Sequence, residues 1–293
     1  MRRRQLLLAS GLALPALHAA AQPRGDAALA ERLSALEAES GGELGVCALD
    51  SASGRRLGHR LDQRFAMCST FKALLAGHVL ARVEAGALRL DQAVKIARSD
   101  LVPYAPAVEA QLARGQMTVA ELCAASVELS DNAAANLLLD LSEGPAGLTA
   151  WLRSLGDTIT RLDRREPELN SNIPGDPRDS STPAAMAATL QRLLLGETAL
   201  RQAASRAQLL DWMQRSPTGL QRLRAGLPAG WTAGDKTGTG TRGAANDVAL
   251  IQPPGRAPWL VAVYMSGSTQ PLSTLNRVHE QVMRALVPVM LAG

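Results

Sequence analysis

Ser69 and Lys72 form a Ser-x-x-Lys pair at the start of a predicted helix. Residues at positions i and i+3 lie on the same face of a helix, so we expect the Ser69 hydroxyl to meet the Lys72 amine. A serine hydroxyl is a weak nucleophile until a neighbouring base takes its proton. Burial and the positive end of a helix both lower the pKa of a lysine, which suits Lys72 to that task. The pair is compatible with nucleophilic catalysis, but by itself it favours a helix-capping serine before an ordinary lysine.

Lysine is rare in this chain, and its positions are therefore informative. The 31 cationic residues include only three lysines, Lys72, Lys95 and Lys236. Arginine cannot be deprotonated in a protein, so proton transfer by a cationic side chain requires lysine. This usage favours a chemical role for Lys72 and for Lys236.

The motif Ser130-Asp131-Asn132 precedes another predicted helix. Ser130 offers a second hydroxyl that could pass a proton, and Asn132 offers an amide that could orient a substrate. Serine and aspartate are also favoured helix caps, so the motif by itself favours a structural role.

The motif Lys236-Thr237-Gly238 lies at the end of a strand-like run. Its lysine and threonine together can hold a carboxylate. Gly238 allows a ligand to approach the backbone closely, and Thr239 can offer a backbone N–H. These residues form a candidate binding edge for an anionic substrate.

Residues 238–243 also fit the dinucleotide-binding pattern G-x-G-x-x-G. A dinucleotide-binding loop must follow a strand and open a helix within a βαβ unit. Here the next segment, residues 244–252, is predicted to be a strand. We therefore exclude a nucleotide site.

The elements that must position these motifs fall into three blocks along the chain. Strands are predicted over residues 43–50, 55–61, 231–235, 244–252 and 259–266. Helices are predicted over residues 27–39, 69–85, 118–125, 131–141, 145–155, 182–195, 200–223 and 271–291. The simplest arrangement is a sheet whose strands come from both chain ends, with a helical block inserted between them.

The segment from Asp163 to Asp179 interrupts the helical block with three prolines, two asparagines and several charges. It is too long and too irregular for a routine helix connection. We predict an Ω-like functional loop over residues 163–179.

The start of the chain has the features of an export signal. Arg2, Arg3 and Arg4 precede an apolar run from Leu6 to Leu17, and the small residues at 19–21 suit a cleavage site. The Arg3-Arg4 pair resembles a twin-arginine signal. These three arginines also account for three of the four excess positive charges, so the remaining chain lacks the basic surface of a nucleic-acid-binding protein. We predict removal of residues 1–21, a periplasmic location, no nucleic acid or membrane partner thereafter, and a monomer.

The three cysteines, Cys47, Cys68 and Cys123, form an odd count with no C-x-x-C pair. An exported protein with this count has at least one unpaired thiol or an intermolecular bond. The four histidines are scattered, whereas a zinc site needs clustered ligands. We expect no metal and no cofactor.

The three motifs in this order resemble the signature of class A serine β-lactamases and the related penicillin-binding enzymes. The resemblance covers about residues 27–290. It implies an α/β (α+β) fold with a five-stranded antiparallel sheet flanked by helices, beside an all-helical domain, with the active site in the cleft between them. The corresponding division is a sheet domain of residues 22–60 and 213–293 and a helical domain of residues 61–212.

Within the irregular loop, Glu166 to Asn170 resembles the E-x-x-L-N element of class A enzymes. In that family the glutamate is the general base for the water that hydrolyses the acyl-enzyme, and the asparagine helps to hold the water. The element argues against one alternative, a penicillin-binding DD-peptidase. A second alternative, a covalent β-lactam sensor without turnover, would need a transmembrane link to a signalling partner, and we predict no such span in this sequence. The resemblance also implies a cis peptide before Pro167 and an ion pair between Arg164 and Asp179.

The resemblance implies a role for each motif residue in opening the lactam ring of penicillins and cephalosporins. Ser69 is the nucleophile, and either Lys72 or Glu166 is the acylation base. Ser130 protonates the departing ring nitrogen, and the backbone N–H groups of Ser69 and Thr239 stabilise the oxyanion. The expected substrate-binding residues are Tyr104, Asn132, Asn170, Arg222, Lys236, Thr237, Gly238 and Thr239.

Two departures from the family pattern carry further predictions. Many members have, at the position of Ala245, an arginine that helps to hold the substrate carboxylate. Arg222 matches an alternative position for this arginine, and we predict that Arg222 takes the role, with Arg242 as the other candidate. The family disulfide partners of Cys68 and Cys123 correspond to Gly240 and Ala76. We therefore predict three free thiols. Three features resemble the broad-spectrum exported chromosomal enzymes of Gram-negative bacteria. They are Cys68, Thr239, and an arginine at position 222 where many other members have one at the position of Ala245.

Overall fold

A computed structural model describes residues 24–292 of the chain. The predicted export segment, residues 1–21, lies outside the described residues. The α-helices are α1 (Arg24–Ser40), α2 (Phe71–Glu84), α3 (Pro106–Gln111), α4 (Val119–Glu128), α5 (Asn132–Leu141), α6 (Gly144–Ser154), α7 (Pro183–Leu194), α8 (Ala203–Arg215) and α9 (Leu272–Ala292). The strands are β1 (Glu43–Asp50), β2 (Arg56–His59), β3 (Phe65–Ala66), β4 (Ala93–Lys95), β5 (Gln116–Thr118), β6 (Ser180–Ser181), β7 (Thr232–Thr239), β8 (Ala245–Gln252) and β9 (Trp259–Ser266).

The main sheet has five antiparallel strands in the order β2-β1-β9-β8-β7. The first two strands come from the beginning of the chain, and the other three come from its end. The predicted fold class, with a sheet built from both chain ends, is confirmed. The division into two domains at residues 60 and 213 stays a prediction.

Alternating side chains of the central strands divide between two cores. In β1, Val46 and Ala48 belong to a core shared with α1 and α9, whereas Cys47 and Leu49 belong to the core of the helical block. Successive side chains of a strand point to opposite faces, so a strand covered on both faces is apolar throughout. This explains why β1, β8 and β9 read as nearly continuous apolar runs.

Helix α2 lies at the centre of the helical block. Its first ten residues, Phe71 to Leu80, are all buried. A helix that is apolar on every side belongs in a core, and Lys72 is the exception in its first turn. The helix therefore carries a lysine into the protein interior immediately after Ser69.

Asp179 closes the base of the 163–179 loop, and it forms the expected ion pair with Arg164. The buried Asp179 carboxylate accepts hydrogen bonds from the backbone N–H groups of Asp163 (2.7 Å) and Arg164 (2.8 Å), and from the Arg164 guanidinium (2.5 Å). Within the loop, Glu168–Asn170 forms a single 3-10 turn, and the Glu166–Pro167 peptide is cis.

The structure differs from the predicted helix over residues 200–223. Helix α8 ends at Arg215, and Ser216 adopts an extended conformation with ψ of 124°. The cause is Pro217, because a proline disfavours the helical conformation in the residue before it. The segment after Pro217 instead runs along β7 toward a short 3-10 turn at Leu223–Gly226. Within residues 24–292, no helix has the length and apolar character needed to cross a bilayer.

Candidate active site

Ser69 lies in the 3-10 turn of Cys68–Thr70 that leads into α2. Cys68 has a φ of +46°, in the left-handed region, which turns the chain sharply before Ser69. The Ser69 side chain is almost buried, and its Oγ donates a hydrogen bond of 3.3 Å to Glu166 Oε1. The serine is therefore directed at a carboxylate from a loop 97 residues away.

The ammonium of Lys72 is fully buried and contacts three acceptors. Its Nζ lies 2.9 Å from Glu166 Oε1, 2.8 Å from the Ser130 carbonyl oxygen and 2.5 Å from Asn132 Oδ1. Burial lowers the pKa of Lys72, and the Glu166 carboxylate partly opposes that shift. The direct hydrogen bond that the sequence predicted between Ser69 and Lys72 does not form; both side chains instead contact the same oxygen of Glu166, which lies between them.

The Glu166 side chain is held at both carboxylate oxygens and along its backbone. Asn170 Nδ2 donates to Glu166 Oε2 at 2.5 Å. Asn136 Nδ2 donates to the Glu166 carbonyl oxygen at 2.9 Å, and the Glu166 N–H donates to Asn136 Oδ1 at 3.1 Å. The carboxylate has no solvent-exposed surface, so its position is set by these contacts and by Lys72.

Ser130, which lines the cleft beside Ser69, contacts Lys236 of β7. Ser130 has a φ of +59°, and its Oγ accepts a hydrogen bond of 3.1 Å from Lys236 Nζ. The same ammonium donates to the Thr237 carbonyl oxygen at 2.9 Å. Burial lowers the pKa of Lys236 to about 7, and the charge of Lys72 adds to this effect. Ser130 thus lies between two amines, with its hydroxyl on Lys236 and its carbonyl oxygen on Lys72.

Gly238 lets β7 pass directly beside the nucleophile. A Cβ atom at Gly238 would lie 2.7 Å from the Met67 carbonyl oxygen and 3.2 Å from the Ser69 nitrogen. Asn246 of β8 ties the same turn to the sheet, because its Nδ2 donates to the Met67 carbonyl oxygen at 3.0 Å. Any larger residue at Gly238 would push β7 away from Ser69.

Arg222 reaches the site from the segment before the 3-10 turn of Leu223–Gly226. It is 4% exposed, and its guanidinium donates to the Gly238 carbonyl oxygen (3.0 Å) and to Thr239 Oγ1 (2.7 Å). Arg242 instead donates to the Ser171 carbonyl oxygen at 2.6 Å and lies on the exposed surface. Of the two candidate arginines, Arg222 is the one that lines the cleft.

The cleft between β7 and the helical block has a volume of about 360 Å³, within the range of small-molecule sites. Its lining residues are Ser69, Tyr104, Ser130, Asn132, Asn170, Thr218, Arg222, Thr237, Gly238, Thr239 and Leu272. Tyr104 is 62% exposed at the rim, and its carbonyl oxygen accepts a hydrogen bond from the Asn132 N–H. The structure thus brings the predicted site residues together around one pocket, with Lys72, Glu166 and Lys236 buried behind it.

Comparison with known proteins assigns the chain to a family. A model of the β-lactamase enzyme family matches residues 28–286. The solved structure of the last common ancestor of Gram-negative class A β-lactamases is 57% identical, covers 90% of this chain and 99% of its own, and superposes with a TM-score of 0.88. The chain belongs to the class A β-lactamases. A putative class A β-lactamase, PenP of Rhodopseudomonas palustris, is 56% identical and covers 90% of this chain and 100% of its own, with a TM-score of 0.87.

Two curated class A relatives are similar over most of their length. The carbapenem-hydrolyzing β-lactamase KPC of Klebsiella oxytoca is 52% identical over 237 residues, or 80% of each chain. The β-lactamase L2 of Stenotrophomonas maltophilia is 50% identical over 266 residues, which covers 88% of this chain and 87% of its own. This β-lactamase is therefore similar to other β-lactamases over 80% to 90% of its chain.

Its three cysteines are free and buried, as predicted. A Cβ atom at Gly240 would lie 2.7 Å from Cys68 Sγ, so a cysteine there would lie within bonding reach and glycine leaves the thiol without a partner. Burial raises the pKa of Cys47 and of Cys68 to about 12 and raises that of Cys123 further. These thiols are protonated at neutral pH and shielded from reagents.

The sequence analysis missed three polar residues of the site: Asn136, Thr218 and Asn246. Asn136 follows Asn132 by four residues, so both lie on one face of α5. Asn136 contacts Glu166, and Asn132 contacts Lys72. That spacing is a signal visible in the sequence. Thr218 and Asn246 gave no such signal, because their partners in β7 and in the Ser69 turn come from distant parts of the chain.

Proposed function

We propose that this class A β-lactamase opens penicillins and cephalosporins through an acyl-enzyme on Ser69. The Ser69 oxygen attacks the lactam carbonyl carbon, the carbon–nitrogen bond breaks, and the ring nitrogen receives a proton. Water then attacks the ester, which releases the ring-opened acid and restores the serine. The observation that carries the proposal is the convergence of Ser69 Oγ and Lys72 Nζ on Glu166 Oε1, in a buried site beside a substrate-sized cleft.

Glu166 is the base for deacylation and, in the intact site, for acylation. Without the Glu166 charge, which raises the pKa of Lys72, the lysine can lose its proton and serve as the acylation base instead. The three N–H groups of the Lys72 ammonium have three acceptors, Glu166, Ser130 and Asn132, which suits the charged form of the lysine. Glu166 accepts from the Ser69 hydroxyl, so it can receive the proton during acylation. With Asn170 on its other oxygen, it then activates the water for deacylation.

Ser130 and the β7 edge handle the leaving nitrogen and the substrate carboxylate. Ser130 Oγ lies 3.1 Å from the Lys236 ammonium and can pass a proton to the nitrogen. Lys236, Thr237 and Thr239 bind the carboxylate, with Arg222 supporting Thr239. The backbone N–H groups of Ser69 and Thr239 stabilise the oxyanion, because Gly238 brings β7 against the Ser69 turn.

Hydrolysis of a chromogenic cephalosporin tests this mechanism. The purified mature enzyme should turn over many equivalents, and Ser69→Ala should lose turnover. Glu166→Ala should give a burst of one equivalent and then stall. A parent enzyme that itself stalls after one equivalent would instead indicate a penicillin-binding enzyme or a covalent sensor.

We further propose that the chain is exported to the periplasm by the twin-arginine route, is cleaved near residue 21 and acts as a monomer. Arg3 and Arg4 before an apolar run support the route. Replacing both with lysine should leave the precursor in the cytoplasm. Periplasmic activity from that variant would contradict the proposed route.

A further inference from the structure

Three hydroxyl groups form a chain that leads away from the cleft. Thr237 Oγ1 donates to Thr218 Oγ1 at 2.7 Å, and Thr218 Oγ1 lies 2.9 Å from Ser216 Oγ. Ser216 Oγ donates to the Glu128 carbonyl oxygen at 3.1 Å. Ser216 is buried, Thr237 is nearly so, and both threonines line the cleft.

The carbonyl at the end of this chain fixes the direction of every proton in it. A carbonyl oxygen only accepts, so the Ser216 proton points to Glu128. Ser216 can then only accept from Thr218, and Thr218 accepts from Thr237. In the free enzyme the Thr237 hydroxyl proton is therefore held by Thr218 and does not point into the cleft.

A bound carboxylate needs the opposite arrangement. It also only accepts hydrogen bonds, so Thr237 must turn its proton toward the substrate. Thr218 can then turn its own proton to Thr237 Oγ1, which keeps the contact between the threonines and reverses its direction. A hydroxyl that receives a hydrogen bond is a stronger donor, so this reversal strengthens the contact of Thr237 with the substrate.

We propose that Thr218 is a positioning residue for the substrate carboxylate, acting through the hydroxyl of Thr237. The proposal rests on the proposed role of Thr237 in carboxylate binding. Thr218 needs a hydroxyl for this role because the group accepts in the free enzyme and donates in the complex. A methyl group of the same size can do neither.

A double-mutant cycle between Thr218 and Thr237 tests the inference with benzylpenicillin as the probe. Thr218→Val should lower kcat/KM roughly 3- to 10-fold, the effect of one neutral hydrogen bond, mainly through KM. Thr218→Ser should recover most of this loss. In the Thr237→Val background, Thr218→Val should change kcat/KM less than about twofold, because its route to the substrate is gone. The exposed Thr198→Val is the matched control and should equal the parent.

The outcomes separate this inference from the proposed function. If Thr237→Val has no effect, carboxylate binding by Thr237 is wrong, and the inference falls with it. If Thr237→Val weakens kcat/KM but Thr218→Val does not, only the role of Thr218 is wrong. The inference is overturned if the losses in kcat/KM of the two single variants add in the double variant. It is also overturned if Thr218→Ser lowers kcat/KM as much as Thr218→Val does. Either result would show that Thr218 acts by packing.

Discussion

The side-chain amide of Asn136 clamps the backbone of Glu166 from both sides of the residue. Its Nδ2 donates to the Glu166 carbonyl oxygen at 2.9 Å, and its Oδ1 accepts from the Glu166 N–H at 3.1 Å. Helix α5 thus fixes the loop residue that faces Ser69. The position of the proposed general base depends on a helix as well as on its own loop.

Removing this clamp should slow deacylation more than acylation. Asn136→Ala removes two hydrogen bonds, each typically about 1 kcal/mol, so deacylation should slow roughly tenfold or more. Acyl-enzyme should then accumulate during turnover and be visible by intact-protein mass spectrometry. The control is Asp140→Ala on the same helix, which removes an exposed ion pair with Arg165 and should have little effect. Equal behaviour of the two variants would contradict the clamp.

The pKa of Lys236 predicts an alkaline loss of activity. Burial lowers this pKa to about 7; the charges of Lys72 and Arg222 add to the shift, and Asp235 and Asp247 oppose it. Only the protonated amine attracts a substrate carboxylate, so the charge is present below pH 7 and is lost as the pH rises through that value. We therefore expect kcat/KM to fall as the pH rises above about 7, which gives the pH profile an alkaline limb.

Lys236→Arg provides the control for the pH profile. Arginine stays protonated across this range, so the alkaline limb should move to higher pH even if the variant is slower. A parent profile that stays flat from pH 6 to 9 would show that Lys236 keeps its proton or does not bind the substrate.

Arg222 and Arg242 offer a matched pair of arginine deletions. Arg222→Ala removes the donor to Thr239 and leaves the Gly238 carbonyl without this contact, so kcat/KM for penicillins should fall about tenfold or more. Arg242→Ala removes an exposed side chain and should stay within about twofold. The assignment is wrong if Arg222→Ala hydrolyses penicillin as fast as the parent.

The buried thiols give a structural prediction that is independent of catalysis. The folded enzyme should resist a thiol reagent, and the denatured enzyme should titrate three groups. Gly240→Cys should bridge to Cys68 under oxidising conditions and leave two titratable thiols. The bridge should also press on the 163–179 loop, because the new Cβ would lie 2.7 Å from the Asn170 carbonyl oxygen. Four free thiols in the oxidised variant would contradict the geometry.

Local signals were enough to predict most of the fold. The apolar runs of β1 and β9 were predicted at their observed bounds, because both strands are covered on two faces and end at polar or turn residues. The motif residues were also evident, since their types are chemically specific. The predicted helix over residues 200–223 extends beyond the end of α8 because the apolar pattern continues past Pro217, which ends the helix.

The remaining site contacts depend on tertiary structure. The hydrogen bond from Thr237 to Thr218 joins a strand to a segment 19 residues earlier, and Asn246 reaches back 179 residues to Met67. Neither spacing has a local periodicity. Likewise, only the folded chain distinguishes Arg222, directed into the cleft, from Arg242, directed at Ser171.

Mass spectrometry of Glu166→Ala mixed with benzylpenicillin tests the central claim most directly. We predict one penicilloyl adduct per chain, located by peptide mapping on Ser69 and persisting for many parental turnover times. The parent enzyme should consume the drug and show no lasting adduct. Sustained turnover by Glu166→Ala, or an adduct on a residue other than Ser69, would contradict acylation of Ser69 and deacylation through Glu166.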